Sequence, residues 1–560
     1  MNIPILEGIK ESVLEMEVSN ESDETHLKAE NAINIRKKGI GIHWFILPGN
    51  NMTITESADT IFSTIAPTNT LFWRGGSVVE VIRNGDKTEF KIITENEFCS
   101  RIEKYGHTVG GYVIHPYTQQ YTLSQKACTR EAAARLLAAA EASELPQISA
   151  ISNCDLLIEE NGHPKMLSYG YNPELGGVYI SQQNGAREVG WEEAVEAIKS
   201  ILLEFNFQSE GDQSRAIASI LTPALRFGGH ISGSIPVDVA EANESQSGKT
   251  YRQKVLAAIY GEAPEVATQI KGIGGGDEPF FNALYRGRPF IQFDNCRGKL
   301  DSPTLEAFIT ANGQFGTRGA YRKWGAVDSR KFYLMLTSNG FEATRDFCNR
   351  SNIIRIKKQP KQYQYKQYTE GDLLEHIRTH QFYYLGCVLG IIKEWMARGK
   401  QKTSDTRHDF REWNQICDWI VQNLFGCVPL MEGHQKMKVR ISSPNESWLR
   451  NVVLAVTATD QLDKQLSASA LLELCDQEEI DLPGNTENRS ETALKKKIGA
   501  VMAKLFGDGN ELECEGFIVK RGVIYTPRLD RPSEQMELKV YEFSHAPPIP
   551  QHPSKGVTTS

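Results

Sequence analysis

Nowhere in the 560-residue chain does an apolar run approach the length of a membrane span. No membrane partner is therefore expected. Its ten cysteines contain no Cys-x-x-Cys pair, and no histidine cluster at ligand spacing stands out. Those absences argue against a disulfide framework or a structural zinc site and fit a reducing compartment. Basic residues are not in excess: 62 Lys and Arg face 70 Asp and Glu, a net charge of −8. A coating of basic surface is excluded, whereas a local basic channel is not. The first residues, MNIPILEGIKESVLEMEV, mix acids into their apolar positions and lack a basic leader, so no signal peptide is expected. Hydrophobic content of 40% and charged content of 24% are ordinary for globular protein, and the length allows several domains.

The sharpest feature present is Val237–Tyr251, VDVAEANESQSGKTY. An apolar run leads through small and polar residues to Ser247-Gly248-Lys249-Thr250, and a helical pattern follows. Strand, loop and Gly-Lys-Thr is the layout of a phosphate-binding P-loop. Backbone N–H groups at the helix start would face the phosphates of ATP, Lys249 would reach them, and Thr250 would ligate Mg²⁺. The nucleotide-contacting set expected is Asn243, Ser245, Ser247, Gly248, Lys249, Thr250 and Tyr251. The usual first glycine of the pattern is Asn243 here, a residue type that tolerates left-handed backbone. An ordinary Ser/Gly-rich turn before a helix is the competing account.

Two more apolar runs follow. Phe290–Asn295, FIQFDN, reads as a buried parallel strand delivering Asp294 to its C-terminal edge, where ligands bind in open α/β sheets. Asp294 would hold Mg²⁺ through water. Lys331–Gly340 is a further strand, ending at Asn339. The general base is open: Asn295 follows Asp294, and an amide positions water but cannot take its proton. Glu278 is a candidate carboxylate, or equally a solvated acid at a helix start.

Around this module, short strands with turns at Gly75-Gly76 and Asn84-Gly85 precede an Ala-rich helix over 127–142. A second β-like patch covers 155–180, and helical spacing covers 191–205 and 213–225. KKQPKQYQYKQY, residues 357–368, reads as a linker or a single-strand contact. Helices over 373–425 put Trp395 and Trp413 in a core. Helix signals at 467–475 and 491–505, then ELECEGFIVKRGVIY with a turn at Lys520-Arg521-Gly522, suggest a winged-helix unit. The divisions expected are 1–188 (α+β binding or assembly), 189–362 (ATPase core), 363–460 (helical), 461–545 (winged-helix-like) and 546–560 (a Pro- and Ser-rich disordered tail).

The order of P-loop, Asp-Asn strand, strand-end Asn339 and Asp346-x-x-x-Arg350 resembles the helicase-like AAA+ ATPases of prophages and integrative elements, relatives of superfamily-three replicative helicases. NTLFWRGG (69–76), KMLSYGYNPELGGVY (165–179) and DFREW (409–413) extend that resemblance across most of the chain. It implies an α/β P-loop AAA+ core hydrolysing ATP with Mg²⁺ as an oligomer, a hexamer in such helicases. Asn339 becomes the sensor that orients the attacking water. Arg350, or secondarily Arg345, becomes a finger reaching the neighbouring subunit's nucleotide. A hairpin before the sensor strand would carry Arg318, Arg322, Lys323 and Trp324 into a central channel to contact single-stranded or forked DNA. Lys520 and Arg521 would lie on duplex phosphates as a wing does. The function implied is a DNA helicase or translocase serving replication of a mobile element or phage-like genome. It would work beside other replication proteins in the bacterial cytoplasm, at the nucleoid. A nucleotide-gated initiator, loader or defence switch remains the alternative, and a scaffold with a degenerate site a third.

Overall fold

The computed structural model describes residues 44–84, 87–142, 144–242, 246–267, 277–296, 299–300, 302–318, 324–339, 341–483, 490–527 and 535–546. The chain divides into two compact units.

The smaller unit takes its described residues from 44–64 and 94–142. Strand Thr108–Ile114 pairs in parallel with Trp44–Ile46 and antiparallel with Tyr121–Gln125. Gly110 is needed there, because a Cβ would lie 2.5 Å from both the Ser124 carbonyl and the Trp44 ring. Helix Glu95–Arg101 starts with a capping box between Thr94 and Glu97. Helix Arg130–Ala139 is capped by Thr129, whose hydroxyl accepts from Ala132 N–H. Phe62 and Phe98 pack at 5.8 Å in its interior.

The larger unit is built on a six-stranded sheet. Its parallel strands are β1 (Val237–Ala242), β2 (Glu265–Val266), β3 (Phe290–Cys296), β4 (Tyr333–Asn339) and β5 (Ser351–Lys357). They stand in the order β5-β1-β4-β3-β2, with Asn206–Phe207 antiparallel at the β5 edge. All six residues of β1 are buried, as a central parallel strand covered on both faces requires. Helix α1 (Glu210–Phe227) begins where the Ser209 hydroxyl accepts from Asp212 N–H at 3.2 Å. Pro223 inside α1 cannot donate to the Ser219 carbonyl. The Tyr333 hydroxyl of β4 donates to that carbonyl instead, at 3.3 Å. Helix α2 (Lys249–Ile259) follows β1, and α3 (Asp277–Arg286), α4 (Pro303–Thr310) and α5 (Arg345–Asn349) connect the later strands.

A polar cluster sits under the sheet's centre. Buried Asp238 of β1 pairs with Arg252 of α2 and accepts from Ser219 of α1. Gln253 donates to Asp238 Oδ1 at 2.9 Å and to the Leu336 carbonyl at 3.0 Å. The Asp238–Arg252 pair and the Gln253 bonds fix α2 against β1 and β4, with Arg252 Nε left without a hydrogen-bond partner among the described residues. Arg215 of α1, fully buried, donates to the carbonyls of Ile353, Leu430 and Glu432.

Helices α6 (Leu373–Thr379), α7 (Gln381–Ala397) and α8 (Arg411–Asn423) complete this core, with Trp395 and Trp413 buried as their spacing implies. After α9 (His434–Ser442), a separate core forms among α10 (Pro444–Ala458), α11 (Ala468–Gln477), α12 (Glu491–Phe506) and an antiparallel sheet. That sheet orders its strands Gln465–Ser467, Gln535–His545, Phe517–Pro527 and Glu511–Cys514. The turn expected at Lys520-Arg521-Gly522 is not there. All three residues lie inside the strand Phe517–Pro527, paired with Glu542, Tyr541 and Val540. A Cβ at Gly522 would make only an ordinary contact with Val540, at 3.5 Å.

The turn at Gly75-Gly76 is present, with both residues at positive φ, and Gly85 of the Asn84-Gly85 turn lies outside the described residues; Asn161-Gly162, also at positive φ, makes a further turn. The absence of a histidine cluster is not borne out: His376 and His380, one helical turn apart, meet Glu370. Among the described residues, no helix is long and apolar enough to cross a membrane.

Candidate functional site

Parallel pairing brings the C-terminal ends of β1, β3 and β4 to one edge: Ala242 lies opposite Asn339, and Phe293 opposite Leu336. The chain leaves β1 through a loop whose described part is residues 246–248. Gln246 (φ 59°) and Gly248 (φ 90°) both take left-handed backbone there. Gly248 is the N-terminal cap of α2, so the first N–H groups of that helix open toward the loop.

Five side chains converge on this edge. Lys249 Nζ donates to Asn339 Oδ1 at 2.7 Å. The Thr250 hydroxyl donates to Asp294 Oδ1 at 2.8 Å, and the Thr337 hydroxyl donates to the same oxygen at 2.6 Å. Thr337 also accepts from Asn295 N–H at 2.7 Å, fixing the irregular end of β3, where Asn295 has φ 52°. Thr337 was not anticipated from the sequence; its position two residues before Asn339 on a strand, hence on the same face, is the signal that marks it.

Burial holds the Lys249 ammonium below its ordinary pKa, and the nearby Asp294 carboxylate works against that shift. The buried Ser247 hydroxyl has no hydrogen-bond partner among the described residues. An orphan hydroxyl, helix-start N–H groups and a desolvated cation form a cradle that suits an anion such as a phosphate chain. Thr250, Asp294 and Thr337 present hard oxygen atoms, the donor type Mg²⁺ takes.

Other expected site residues lie elsewhere. The Tyr251 hydroxyl accepts from Leu374 N–H at 2.9 Å, so it ties α2 to the start of α6. Asn243 and Ser245 lie outside the described residues, as does the side chain of Glu278 at the start of α3. Arg350 ends α5 beside Val237, whose N–H donates to the Arg350 carbonyl at 3.1 Å. It is therefore at the opposite edge of the sheet, about 20 Å from the loop by the length of β1. Its guanidinium is 3.9 Å from Asp346. Arg345 begins α5 and is exposed.

Strands Gln314–Arg318 and Trp324–Asp328 form an antiparallel hairpin before β4, with Arg318 and Trp324 as its last described rung. Arg322 and Lys323, and the side chains of Arg318 and Trp324, lie outside the described residues. Arg521 is engaged: Nε donates to Asn510 Oδ1 at 3.0 Å and the guanidinium lies over Phe506. Lys520 pairs with Glu511 at 3.1 Å.

No family model and no curated protein matches this sequence. Among solved structures the chain is similar to the SCCmec type IV Cch active helicase, at 11% identity and a TM-score of 0.28, covering 83% of this chain and 90% of that one. It is also similar to the JCV helicase, at 13% identity and a TM-score of 0.20, covering 48% of this chain and 73% of that one. Likenesses of this degree assign neither a fold nor a residue role here.

Proposed function

We propose that this chain is an oligomeric, ATP-driven DNA helicase or translocase with a P-loop AAA+ core. The observation that carries the reading is the convergence of Lys249, Thr250, Asp294 and Asn339 at the ligand-binding edge of a parallel sheet ordered β5-β1-β4-β3-β2. Sequentially distant residues of four chemistries meet where a triphosphate and its metal would lie.

In this reading the N–H groups at the start of α2 and the Lys249 ammonium hold the β- and γ-phosphates. Thr250 and Asp294 hold Mg²⁺, which neutralises charge on the phosphate oxygens when bound. Asn339 positions the attacking water, and the base is a carboxylate other than Asp294, Glu278 being the candidate. Arg350 is too far from its own chain's Lys249 to act there, which supports a role in a neighbouring subunit's site and hence a ring, a hexamer by resemblance. The hairpin from Gln314 to Asp328 would meet single-stranded DNA in the channel. The α10–α12 unit with its sheet would serve as a winged-helix-like module, and residues 1–188 would bind or assemble. Replication of a mobile element is the setting this reading fits.

The test is ATP hydrolysis with and without single-stranded DNA, comparing wild type with Lys249→Ala. Stimulation that disappears in the variant is expected. Hydrolysis indifferent to DNA would overturn the motor in favour of a switch or loader, and tight ATP binding without turnover would leave a scaffold.

A further inference from the structure

Between β5 and α6 the chain makes a tight turn in which Tyr368 and Gly371 bridge, and Asp372 caps α6 by accepting from Glu375 N–H at 3.0 Å. That turn presents the Glu370 carboxylate to two imidazoles. Glu370 Oε2 lies 3.0 Å from His376 Nδ1, and Oε1 lies 2.6 Å from His380 Nε2. His376 sits on α6 and His380 at the α6–α7 corner, one turn on, with ring centroids 4.6 Å apart. One ligand atom from each of the three residues lies within 4.8 Å of the other two.

We propose that Glu370, His376 and His380 form a zinc site that staples the segment after β5 to the α6–α7 corner.

Three features support it. An ionised carboxylate only accepts, so each imidazole contact requires a proton or a shared cation between the two atoms. The second nitrogen of His376, Nε2, is 3.0 Å from the Tyr384 hydroxyl. That hydroxyl accepts equally well from Nε2–H, which frees the Nδ1 lone pair for a metal. An orienting partner on the far ring nitrogen is the usual companion of a ligating histidine. Tyr368 stacks on the His376 ring at 4.3 Å and fixes its plane.

Two imidazoles and one carboxylate match zinc at bonds of about 2.0–2.2 Å and leave a fourth position for water. His380 is exposed, so that position opens to solvent. The nitrogen ligands disfavour Mg²⁺, which separates this site chemically from the oxygen set at Asp294. The proposal is independent of the ATPase reading.

The experiment is calorimetric titration of ZnCl₂ into the full-length protein, stripped with EDTA and held in excess Mg²⁺ without nucleotide. Co²⁺ absorption serves as a second readout of ligand geometry. One Zn²⁺ per chain is expected, with affinity weakened more than about tenfold in Glu370→Gln and in His380→Asn. His380 is exposed, so His380→Asn tests binding without threatening the fold, and circular dichroism checks both variants. Equal Zn²⁺ uptake by wild type and the His376→Ala/His380→Asn double variant would overturn the proposal by placing the cation elsewhere. No uptake by folded wild type would overturn it too, leaving a carboxylate that accepts an N–H from each of two imidazoles.

Discussion

Arg450 on α10 and Glu241 on β1 form an ion pair whose side chains are 2% and 0% exposed. Glu241 also accepts from the Phe341 N–H at 3.3 Å, two residues past Asn339, and Arg450 lies 3.6 Å from Glu515. The pair therefore joins the α10–α12 unit to the sheet edge that carries Lys249 and Asn339. Removing one member leaves the other charged and buried, at a cost of about 3–5 kcal/mol. Arg450→Met is expected to lower the unfolding free energy, extrapolated from urea titration, by that much, with a matching drop in the urea midpoint. Glu241→Gln/Arg450→Met should recover most of the loss, because the amide still accepts from Phe341 N–H and the fully buried carboxylate is gone, the remaining Glu515 being 10% exposed. Equal midpoints for single and double variants would show that the pair is not coupled.

The bond from Lys249 to Asn339 gives a prediction about turnover. Asn339 is exposed at the end of β4, so its loss opens no cavity. On the proposed mechanism Asn339→Ala lowers kcat for ATP hydrolysis by roughly 10²–10³-fold, the usual cost of a missing polar group aimed at reacting atoms. Thermal stability should be unchanged. Lys249→Ala should in addition weaken nucleotide binding, seen by fluorescence of a labelled ATP analogue. Undiminished turnover in Asn339→Ala would remove it from the water-positioning role.

The strands were legible because buried parallel strands read as unbroken apolar runs. FIQFDN and YLMLTSN reach Asn295 and Asn339 at the sheet edge, whereas VDVAEA ends in Ala242 and carries the buried acids Asp238 and Glu241. Helix starts near 191, 468 and 491 were legible for the matching reason, apolar spacing at 3.6 residues, whereas α1 starts at Glu210, three residues before that spacing shows, where Ser209 caps it. What failed were contacts between elements. Nothing local says that Glu370 faces two histidines on the following helices, or that the Tyr251 hydroxyl turns to α6 instead of toward the loop. Lys520-Arg521-Gly522 read as a turn because glycine beside cations is turn chemistry. In the fold Gly522 is extended and paired with Val540 within a long strand.

Stability should fall in mild acid. His408 and His434 are both about 1% exposed, and their rings lie 5.9 Å apart. Burial pushes His408 from its ordinary 6.5 down to about 4. Burial, then the positive charges of Arg215, Lys438 and Arg407, hold His434 well below its ordinary value. Below pH 6.5 the unfolded chain binds protons that the folded chain refuses. The contribution is present above that pH and is lost as pH falls toward 4, about 3 kcal/mol for a shift of the His408 size. Urea midpoints near neutrality and near pH 5 should differ accordingly. His434 has no hydrogen-bond partner at either ring nitrogen among the described residues. His434→Leu therefore strands nothing and should flatten the profile; an unchanged profile would assign the effect to other groups.

Arg350 supplies the test of shared sites. It lies beside Val237, at the end of β1 remote from the Gly248–Lys249 loop, and its one described ion pair is a loose one to Asp346. Within one chain it has no path to the phosphates. If it completes a neighbour's site, Arg350→Ala should bind ATP normally and hydrolyse it about 10³-fold more slowly. Lys249→Ala should bind ATP poorly but still present Arg350. Mixed rings would then contain some interfaces that pair an intact loop with an intact arginine. Activity should return when the two inactive variants are combined, at a fraction set by the mixing ratio. No recovery from mixing, or full activity in a preparation shown to be monomeric by light scattering, would confine the chemistry to single chains and remove Arg350 from it.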